Sequence, residues 1–449
     1  MTLGVVYFKK PRYGWYMVLG EILLGGSGHY LEFFGLSVRT VFIHTFLFLW
    51  IVHSFGDKTI RPRLHIPHRL FFFLIPIFFF AIVSTILGIV NGHTIQHIFQ
   101  DALPFSFLLL LLPAYEEVKS EQTQAYLARL LAVFLIGGAI ISLSAFLWYS
   151  ADIGSVHDGF YTWFRDSALG KITYIGSDFF RIVLPEHILV VPLVLLISSL
   201  LMRNESHNQY WRLMVGAGLL TMALNMSRTY MVALVVGFIV LKWKHLWRRW
   251  IPVTIGALAM LAIFLTSLSF GASGEKTFGW EMIGGRFLSI VHPSTEISTY
   301  TRMSLFKPIF HVIQAHPLIG SGFGQTISFY VPSLAQTLTS TNFGWGYLEM
   351  WAKLGFFGLA SFMLAVVFLL YDISYSVISL SDYQDFYVGV LAGVVALLVI
   401  NVTDPALFQT FGLLYLIFAI VVASKPIHSF ERVLIVLYRM FNHLQKPIS

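Results

Sequence analysis

The sequence predicts an all-α polytopic membrane protein with about twelve transmembrane helices. Hydrophobic residues make up 57% of the 449 residues and charged residues only 11%, whereas soluble domains carry about 45–50% and about 25%. The apolar residues recur in blocks of about 20 along the whole chain, which suits a bilayer core of about 30 Å. Basic residues lie in short clusters between these blocks. We therefore expect a single membrane domain over residues 1–449.

Twelve apolar runs supply the predicted spans, although the fourth, seventh and eighth are short. The runs cover residues 14–33, 38–55, 70–90, 98–114, 127–150, 183–201, 210–226, 229–243, 251–271, 346–371, 386–403 and 405–423. With a cytoplasmic start, most Lys and Arg residues fall in the segments on the cytoplasmic side, as the positive-inside rule requires. Both termini are then expected in the cytoplasm.

Two long segments fall on the extracytoplasmic side in this orientation. They are the loop at 151–182 and the large loop at 272–345 between spans 9 and 10. The large loop is rich in aromatic residues, so we expect it to fold, with short amphipathic helices, as a lid over the membrane domain. The tail at 424–449 is expected to be amphipathic and to lie on the cytoplasmic face.

Several classes of function are disfavoured by the sequence. The net charge of +7 comes from clusters between spans rather than from one basic surface, so no nucleic-acid partner is predicted. The chain has no cysteine, no Asp-x-Asp pair and no His-Glu-x-x-His motif, so no metal site and no cofactor are predicted. Any catalysis is expected to use oxygen groups, nitrogen groups or bound ions.

Arg228 stands in the run Asn225-Met226-Ser227-Arg228-Thr229, at a tight turn between two apolar helices. A guanidinium near membrane depth is unfavourable unless it faces a cavity or meets an anion. Two interpretations stay open here. Arg228 either snorkels to the outer headgroups or forms a bidentate clamp for phosphate.

Arg302 opens a segment with an approximately helical apolar pattern, which predicts a short amphipathic helix on the membrane domain. Taken alone, Arg302 is also compatible with a solvated charge at a helix end. The segment leads into His316-Pro317-Leu318-Ile319-Gly320-Ser321-Gly322-Phe323-Gly324. No strand precedes these glycines, so we reject a dinucleotide loop and expect a tight turn with glycines at positive φ.

Taken together, these motifs resemble the O-antigen ligase and repeat-unit polymerase superfamily. The resemblance lies in Ser227-Arg228 at a helix turn, an Arg about a dozen residues before His-Pro-x-x-Gly-x-Gly, and Tyr347-Leu348 followed by Gly355 and Gly358. It implies a bacterial inner-membrane enzyme that transfers a glycan from an undecaprenyl diphosphate carrier to an acceptor. The implied chemistry is inverting and independent of a metal.

The resemblance also implies roles for individual residues. Arg228 and Arg302 are expected to grip the diphosphate of a lipid-linked oligosaccharide donor, with fixed guanidinium groups stabilising the leaving group. The acceptor is either a second lipid-linked repeat unit, which makes a polymerase, or a finished surface anchor, which makes a ligase. We favour the polymerase, and partners in polysaccharide assembly are expected.

One position departs from the family pattern. Alignment with the family's His-Asn-x-Tyr-Leu places Gly344 where a His is implied as general base or orienting group, and glycine cannot accept a proton. His316, Glu349 and Asn342 are the nearby candidates to replace it. The predicted catalytic residues are Arg228, Arg302, His316 and Glu349, and the predicted substrate-binding residues are Arg181, Ser227, Arg286, Asn342, Tyr347 and Lys353.

Structural interpretations of the same residues remain open. Glu349 and Lys353 are four residues apart and can pair on one helix face. His316 can be a turn residue before proline, and Asp404, between the last two spans, can cap a helix. At the level of the whole protein, the alternatives are a transporter or flippase of lipid-linked sugars and an inactive scaffold of a polysaccharide assembly complex. The loss of the family histidine favours the scaffold, whereas the lack of symmetry between halves speaks against a transporter.

Overall fold

The computed structural model describes residues 2–25, 32–33, 36–56, 68–117, 120–155, 158–166, 168–176, 178–203, 208–274, 278, 284–285, 297–331, 336–380 and 383–424. These residues are mainly helical. The helices are α1 Thr2–Lys9, α2 Pro11–Leu24, α3 Val38–Gly56, α4 His68–Val90, α5 Ile95–Ser106, α6 Leu111–Glu117, α7 Glu121–Ser150, α8 Gly159–Asp166, α9 Val190–Leu201, α10 Asn208–Asn225, α11 Arg228–Lys242, α12 Trp247–Ala272, α13 Ile297–Ala315, α14 Gly346–Ser379, α15 Gln384–Ile400 and α16 Thr410–Ser424. Short 3-10 segments cover Phe107–Leu110, Pro185–Leu189 and Ala406–Phe408.

A helix occupies most of each of the twelve predicted apolar runs, so the all-helical body is confirmed. Within the described part of the chain, four helical segments are both long and apolar enough to cross a membrane: Ile95–Glu117, Gln122–Ser150, Trp247–Ala272 and Gly346–Ser379. Several shorter apolar helices accompany them. The chain is therefore an integral membrane protein, and the number of twelve spans stays a prediction.

Helices α9 and α15 form the centre of the bundle. They pack against each other, and α9 also packs on α10 and α11. Residues 190–199 of α9 are all buried, because this helix is surrounded by other helices and carries apolar residues on every side. On the outer helix α12, by contrast, Ile255 and Ile263 are both 60% exposed, as expected for side chains that meet lipid.

Antiparallel strand pairs occur both in the two long loops and near residue 35, and none of them was predicted from the sequence. Strands β1 Glu32–Phe33 and β2 Leu36–Ser37 form a minimal pair. In the loop at 151–182, β3 Lys171–Gly176 pairs with β4 Phe179–Val183, and in the large loop β5 Ile327–Val331 pairs with β6 Gln336–Ser340. A hairpin satisfies the backbone hydrogen bonds of a segment that folds against the bundle without being helical.

In the predicted loop at 272–345, the described residues 297–331 and 336–345 fold against the N-terminal part of α14. The predicted amphipathic helix is present as α13, but it begins at Ile297, so that Arg302 lies within it rather than at its start. Leu305, Ile309 and Ile313 of α13 share a small core with Phe343 and Ala352. The predicted amphipathic tail, apart from its first residue, lies outside the described residues.

Helix α14 is broken at Gly355, where φ is 76° and ψ is 177°. The glycine-containing segment after His316 fills the break. The N–H groups of Phe356 and Phe357 donate to the carbonyl oxygens of Pro317 and Leu318, at 2.9 and 3.2 Å. A broken helix at membrane depth needs such replacement partners, because no water is available to the freed groups.

The backbone carbonyl groups that precede the break are also hydrogen-bonded to the glycine-containing segment. The carbonyl oxygens of Ala352 and Lys353 accept hydrogen bonds from the N–H groups of Ser321 and Gly322, at 2.8 and 3.1 Å. Gly322 has φ of 90°, and a Cβ atom there would lie 2.3 Å from the backbone nitrogen of Gly88 in α4. The prediction of a tight turn with positive φ is confirmed, and the motif joins α4, α13 and α14.

Candidate functional site

Several chain reversals lie together at one end of the bundle. Helix α10 ends at Asn225 and α11 starts at Arg228, while α15 ends at Ile400 and α16 starts at Thr410. The contacts between α11 and α15 and between α14 and α16 place these turns side by side. This end is the one for which the sequence predicts an extracytoplasmic location.

The turn before Arg228 has an unusual backbone. Met226 is buried and has φ of 50°, a conformation that residues other than glycine rarely adopt. Ser227 precedes α11 in an extended conformation, and its side chain makes no capping bond with the described residues. Arg228 is half-buried in the first turn of the helix. The first N–H groups of a helix have no intrahelical partner and favour anions, so this turn suits a phosphate group.

Arg181, on strand β4, holds this turn in place through hydrogen bonds to Asn225. Its Nε donates to the carbonyl oxygen of Asn225 at 2.5 Å, and its Nη2 donates to Oδ1 of the same residue at 3.4 Å. Asn225 is 1% exposed. Arg181 is therefore fixed next to the turn that carries Ser227 and Arg228, and its predicted role in substrate binding stays a prediction.

Asp404 lies on the turn after α15 and faces a group of positive charges. Its neighbour Thr403 contacts Thr229 through their hydroxyl oxygens, at 2.6 Å. Burial raises the pKa of the Asp404 carboxyl, while Arg302, Lys171 and Arg181 act in the opposite direction, the effect of Arg302 being the largest of the three. From the sequence, Asp404 was predicted only as a helix cap, and Lys171 had no predicted role. No local motif marks either residue, because the charges meet only in the folded chain.

Arg302 sits against the segment that departs from the family pattern. The indole Nε1 of Trp345 donates to the carbonyl oxygen of Arg302 at 2.9 Å. A Cβ atom on Gly344 would lie 3.8 Å from Cγ of Arg302. The Gly344 N–H donates to Oδ1 of Asn342 at 2.9 Å, so Asn342 shapes the turn. Position 344, where the resemblance implies a histidine, thus lies beside Arg302.

Tyr347 joins two helices at the edge of this region. Its hydroxyl donates to the carbonyl oxygen of Leu398 at 2.8 Å, which ties the start of α14 to α15. One residue earlier, a Cβ on Gly346 would lie 2.3 Å from the Asn401 carbonyl oxygen, so the two helices are in close contact. Tyr347 thereby fixes the position of the Gly344 turn relative to Asp404.

Glu349 and Lys353 form the ion pair that the sequence allowed as a structural alternative. Lys353 Nζ lies 2.8 Å from Glu349 Oε1 and 2.8 Å from Asp101 Oδ1 of α5. It also donates to the carbonyl oxygen of Thr341, and Glu349 accepts from the N–H of Phe343. These contacts favour a structural role, because both side chains are already engaged in holding the 341–343 segment next to Arg302. We leave them out of the proposed catalytic groups.

Replacing Lys353 by methionine is expected to destabilise the protein by about 3–5 kcal/mol, because two carboxylates lose their buried counter-charge. Lys353 is 0% exposed. Thermal unfolding in detergent would measure the change, with Lys307→Met on the exposed side of α13 as the matched control. An unfolding temperature equal to that of the control would argue against a structural triad.

One predicted residue, His316, is not brought to the site. His316 follows the end of α13, about 20 Å along the helix axis from Arg302, and its ring is exposed. Its carbonyl oxygen accepts from the Gly320 N–H, as expected for the turn residue that the sequence also allowed. Arg286 lies outside the described residues.

Comparison with known proteins gives one family match. Residues 213–363 match the family described as O-antigen ligase. A search of curated proteins gives no match. The matched segment includes Arg228, Arg302 and the Gly344 turn, whereas Arg181 and Asp404 lie outside it. The family acts in polysaccharide assembly on lipid-linked glycans, in a ligase or polymerase reaction. The match over residues 213–363 supports the resemblance of this part of the chain to the O-antigen ligase and repeat-unit polymerase superfamily.

Proposed function

We propose that this protein is a glycosyltransferase that moves a glycan from undecaprenyl diphosphate to an acceptor glycan during surface polysaccharide assembly. The proposal is supported by the electrostatic influence of Arg302, Lys171 and Arg181 on Asp404, whose neighbour Thr403 contacts Thr229 beside the Ser227–Arg228 turn. The three cationic side chains outnumber the single carboxylate, so this half-buried region carries a net positive charge. A diphosphate is the anion that such a group would hold.

In the proposed reaction, the acceptor hydroxyl attacks the anomeric carbon of the donor sugar from the side opposite the diphosphate. The bond between that carbon and the phosphate oxygen breaks, and the electron pair leaves with undecaprenyl diphosphate. Arg228 and Arg302, with the N-terminus of α11, stabilise the charge that develops on the leaving oxygen. The configuration at the anomeric carbon is inverted, and the guanidinium groups take the place that a metal holds in other transferases.

The proton of the acceptor hydroxyl goes to Asp404 in this scheme. Glycine at position 344 leaves space beside Arg302 but no proton acceptor. The carboxyl of Asp404 faces Arg302 and has a raised pKa, which makes it a better base than an ordinary aspartate. Its use accounts for a transferase that lacks the family histidine.

The proposed orientation is supported by the opposite end of the bundle. There, Lys242 and Lys244 at the end of α11 and Arg248 and Arg249 at the start of α12 form a basic group. This group is placed in the cytoplasm by the positive-inside rule, which leaves Arg228 and Arg302 on the outer side of a bacterial inner membrane. Both termini are then cytoplasmic.

The test is turnover of a defined donor. Purified protein is incubated with an undecaprenyl diphosphate oligosaccharide in the presence of EDTA, and the products are separated by size and chain length. Extension of the lipid-linked glycan is expected, which indicates a polymerase, and transfer to an added lipid anchor would instead indicate a ligase. Absence of transfer to every acceptor would support the transporter or scaffold alternatives.

A further inference from the structure

A buried histidine that the transfer chemistry does not use lies behind the proposed site. His187, in the 3-10 segment that precedes α9, is 2% exposed. Its ring contacts polar groups from three separate parts of the chain. In an integral membrane protein, a buried polar ring is unfavourable unless its nitrogen atoms are hydrogen-bonded, so each of these contacts has a stabilising effect.

The hydrogen bonds of His187 fix its tautomer. The backbone N–H of Leu184 lies 3.3 Å from Nδ1 of His187, and a backbone N–H can only donate. Nδ1 therefore carries a lone pair rather than a proton. The ring is then neutral and has its proton on Nε2, which lies 3.4 Å from the hydroxyl oxygen of Ser142 in α7.

The tautomer of His187 in turn fixes the orientation of the Asn225 side-chain amide. Nδ2 of Asn225 lies 3.0 Å from Nδ1 of His187 and donates to it. The amide oxygen Oδ1 then accepts from Nη2 of Arg181 at 3.4 Å. The reverse orientation would place two lone pairs against each other at His187, and an NH₂ group against the guanidinium at Arg181. The acceptor atom on His187 therefore determines that Asn225 presents an oxygen to Arg181.

Asn225 connects Arg181 to the start of α11. It is the last residue of α10, where a backbone carbonyl lacks an intrahelical partner, and its carbonyl oxygen accepts from Nε of Arg181 at 2.5 Å. Met226, with φ of 50°, and the Ser227–Arg228 turn follow directly. Such a backbone conformation persists only where the surrounding contacts hold it. Movement of Asn225 would therefore displace Arg181 and the start of α11 together.

We propose that His187 is a positioning residue of the donor site, which acts through Asn225 to hold Arg181 and the Ser227–Arg228 turn in the arrangement that binds a diphosphate. This assignment rests on the proposed function. His187 takes no part in the transfer step itself. Its role depends on the acceptor at Nδ1, whereas the contact between Nε2 and Ser142 only holds the ring.

The test compares His187→Asn with His187→Gln. The side-chain oxygen of asparagine can take the place of Nδ1, because both atoms are bonded to Cγ. The additional methylene of glutamine carries its amide past that position, so the donors of Asn225 and Leu184 lose their acceptor. Dissociation constants for undecaprenyl diphosphate are measured with purified protein. His187→Gln is expected to bind it about tenfold more weakly than the wild type, and His187→Asn within a few-fold of the wild type.

A role in packing alone predicts the opposite order. Glutamine is closer to histidine in volume than asparagine is, so it leaves the smaller cavity. If His187 only fills space in the bundle, His187→Asn is the more damaged variant, both in binding and in thermal unfolding. His187→Leu, which keeps the bulk but has no acceptor, takes the place of His187→Gln if that variant does not fold, and the same weakening is expected.

The matched control is the same pair of substitutions at His245. This histidine is 5% exposed and its Nε2 is hydrogen-bonded to the hydroxyl of Ser199 at 2.9 Å. It follows the end of α11, whereas Arg228 is at the start of that helix. Both His245 variants are expected to keep the wild-type dissociation constant.

The proposal is overturned if the two His187 variants bind undecaprenyl diphosphate equally well, or if His187→Gln binds it better than His187→Asn. It is also overturned if the wild type does not bind this lipid, since there is then no donor site to position. A failure of the proposed function looks different, because the wild type and the variants would then bind the diphosphate in the expected order but transfer no glycan.

Discussion

Replacement of Arg302 or Arg228 by alanine is expected to lower the turnover of the undecaprenyl diphosphate donor by about 10²–10³-fold for each single change. In the proposed reaction, each guanidinium lies close to the leaving oxygen on which charge develops. Arg302 is the strongest positive partner of Asp404, and Arg228 lies in the first turn of α11 next to Thr229, which contacts Thr403. Water is not expected to replace the lost guanidinium group, because the site is half-buried.

The measurement is initial rate against donor concentration, with the protein level in the membrane monitored in parallel. Lysine in place of either arginine keeps the charge but loses the planar fork, so partial activity is expected. Arg165→Ala is the matched control, because Arg165 is an exposed arginine paired with Asp166 on α8. Turnover of Arg302→Ala or Arg228→Ala within a few-fold of that control would remove the basis for a diphosphate site.

Replacement of Asp404 by asparagine is expected to reduce kcat by about 10²–10⁴-fold, the usual contribution of a general base. Binding of undecaprenyl diphosphate should be retained or strengthened, since a negative charge is removed from beside Arg302, Arg181 and Lys171. If Asp404 served only to position these cations, its loss would instead weaken diphosphate binding. The ratio of the effects on kcat and on affinity separates the two roles.

The pH dependence gives an independent check on Asp404. A base must be deprotonated to act, so activity is expected to fall as pH drops through its pKa. Because burial raises the pKa of Asp404, this loss should begin at a higher pH than for a solvent-exposed aspartate. The charged and titratable groups that face the carboxyl are Arg302, Lys171, Arg181 and Tyr230. An acidic limb that persists unchanged in the residual activity of Asp404→Asn would argue against Asp404 as the base.

The helical body could be predicted from the sequence because runs of apolar residues must satisfy their own backbone in a membrane. The break in α14 could not. Gly355 lies in an apolar run that predicts one continuous span. The hydrogen-bond acceptors that make the break possible are the carbonyl oxygens of Pro317 and Leu318, in a distant part of the chain. The hairpin β3–β4 was missed for a related reason, since a short alternating segment inside a loop has no signal as strong as that of a span.

Candidate site residues could be predicted from the sequence where a motif marks them. They could not be predicted where charged residues from distant parts of the chain come together only on folding. Arg228 and Arg302 were singled out by the motifs that resemble the family, and their role in donor binding stays a prediction. Asp404 was seen only as a cap, because its cationic neighbours come from other segments of the chain. Glu349 and Lys353 were correctly paired as neighbours four apart, but Asp101, the third member of the group, is 252 residues away from Lys353 in sequence.

A structure of the protein with undecaprenyl diphosphate bound, determined in a lipid nanodisc, tests most directly whether these arginines form one donor site. The diphosphate is expected within hydrogen-bonding distance of both Arg228 and Arg302, at the start of α11, with Asp404 facing the space beside Gly344. A diphosphate bound instead among Lys242, Lys244 and Arg248, at the other end of the bundle, would contradict the proposed enzyme.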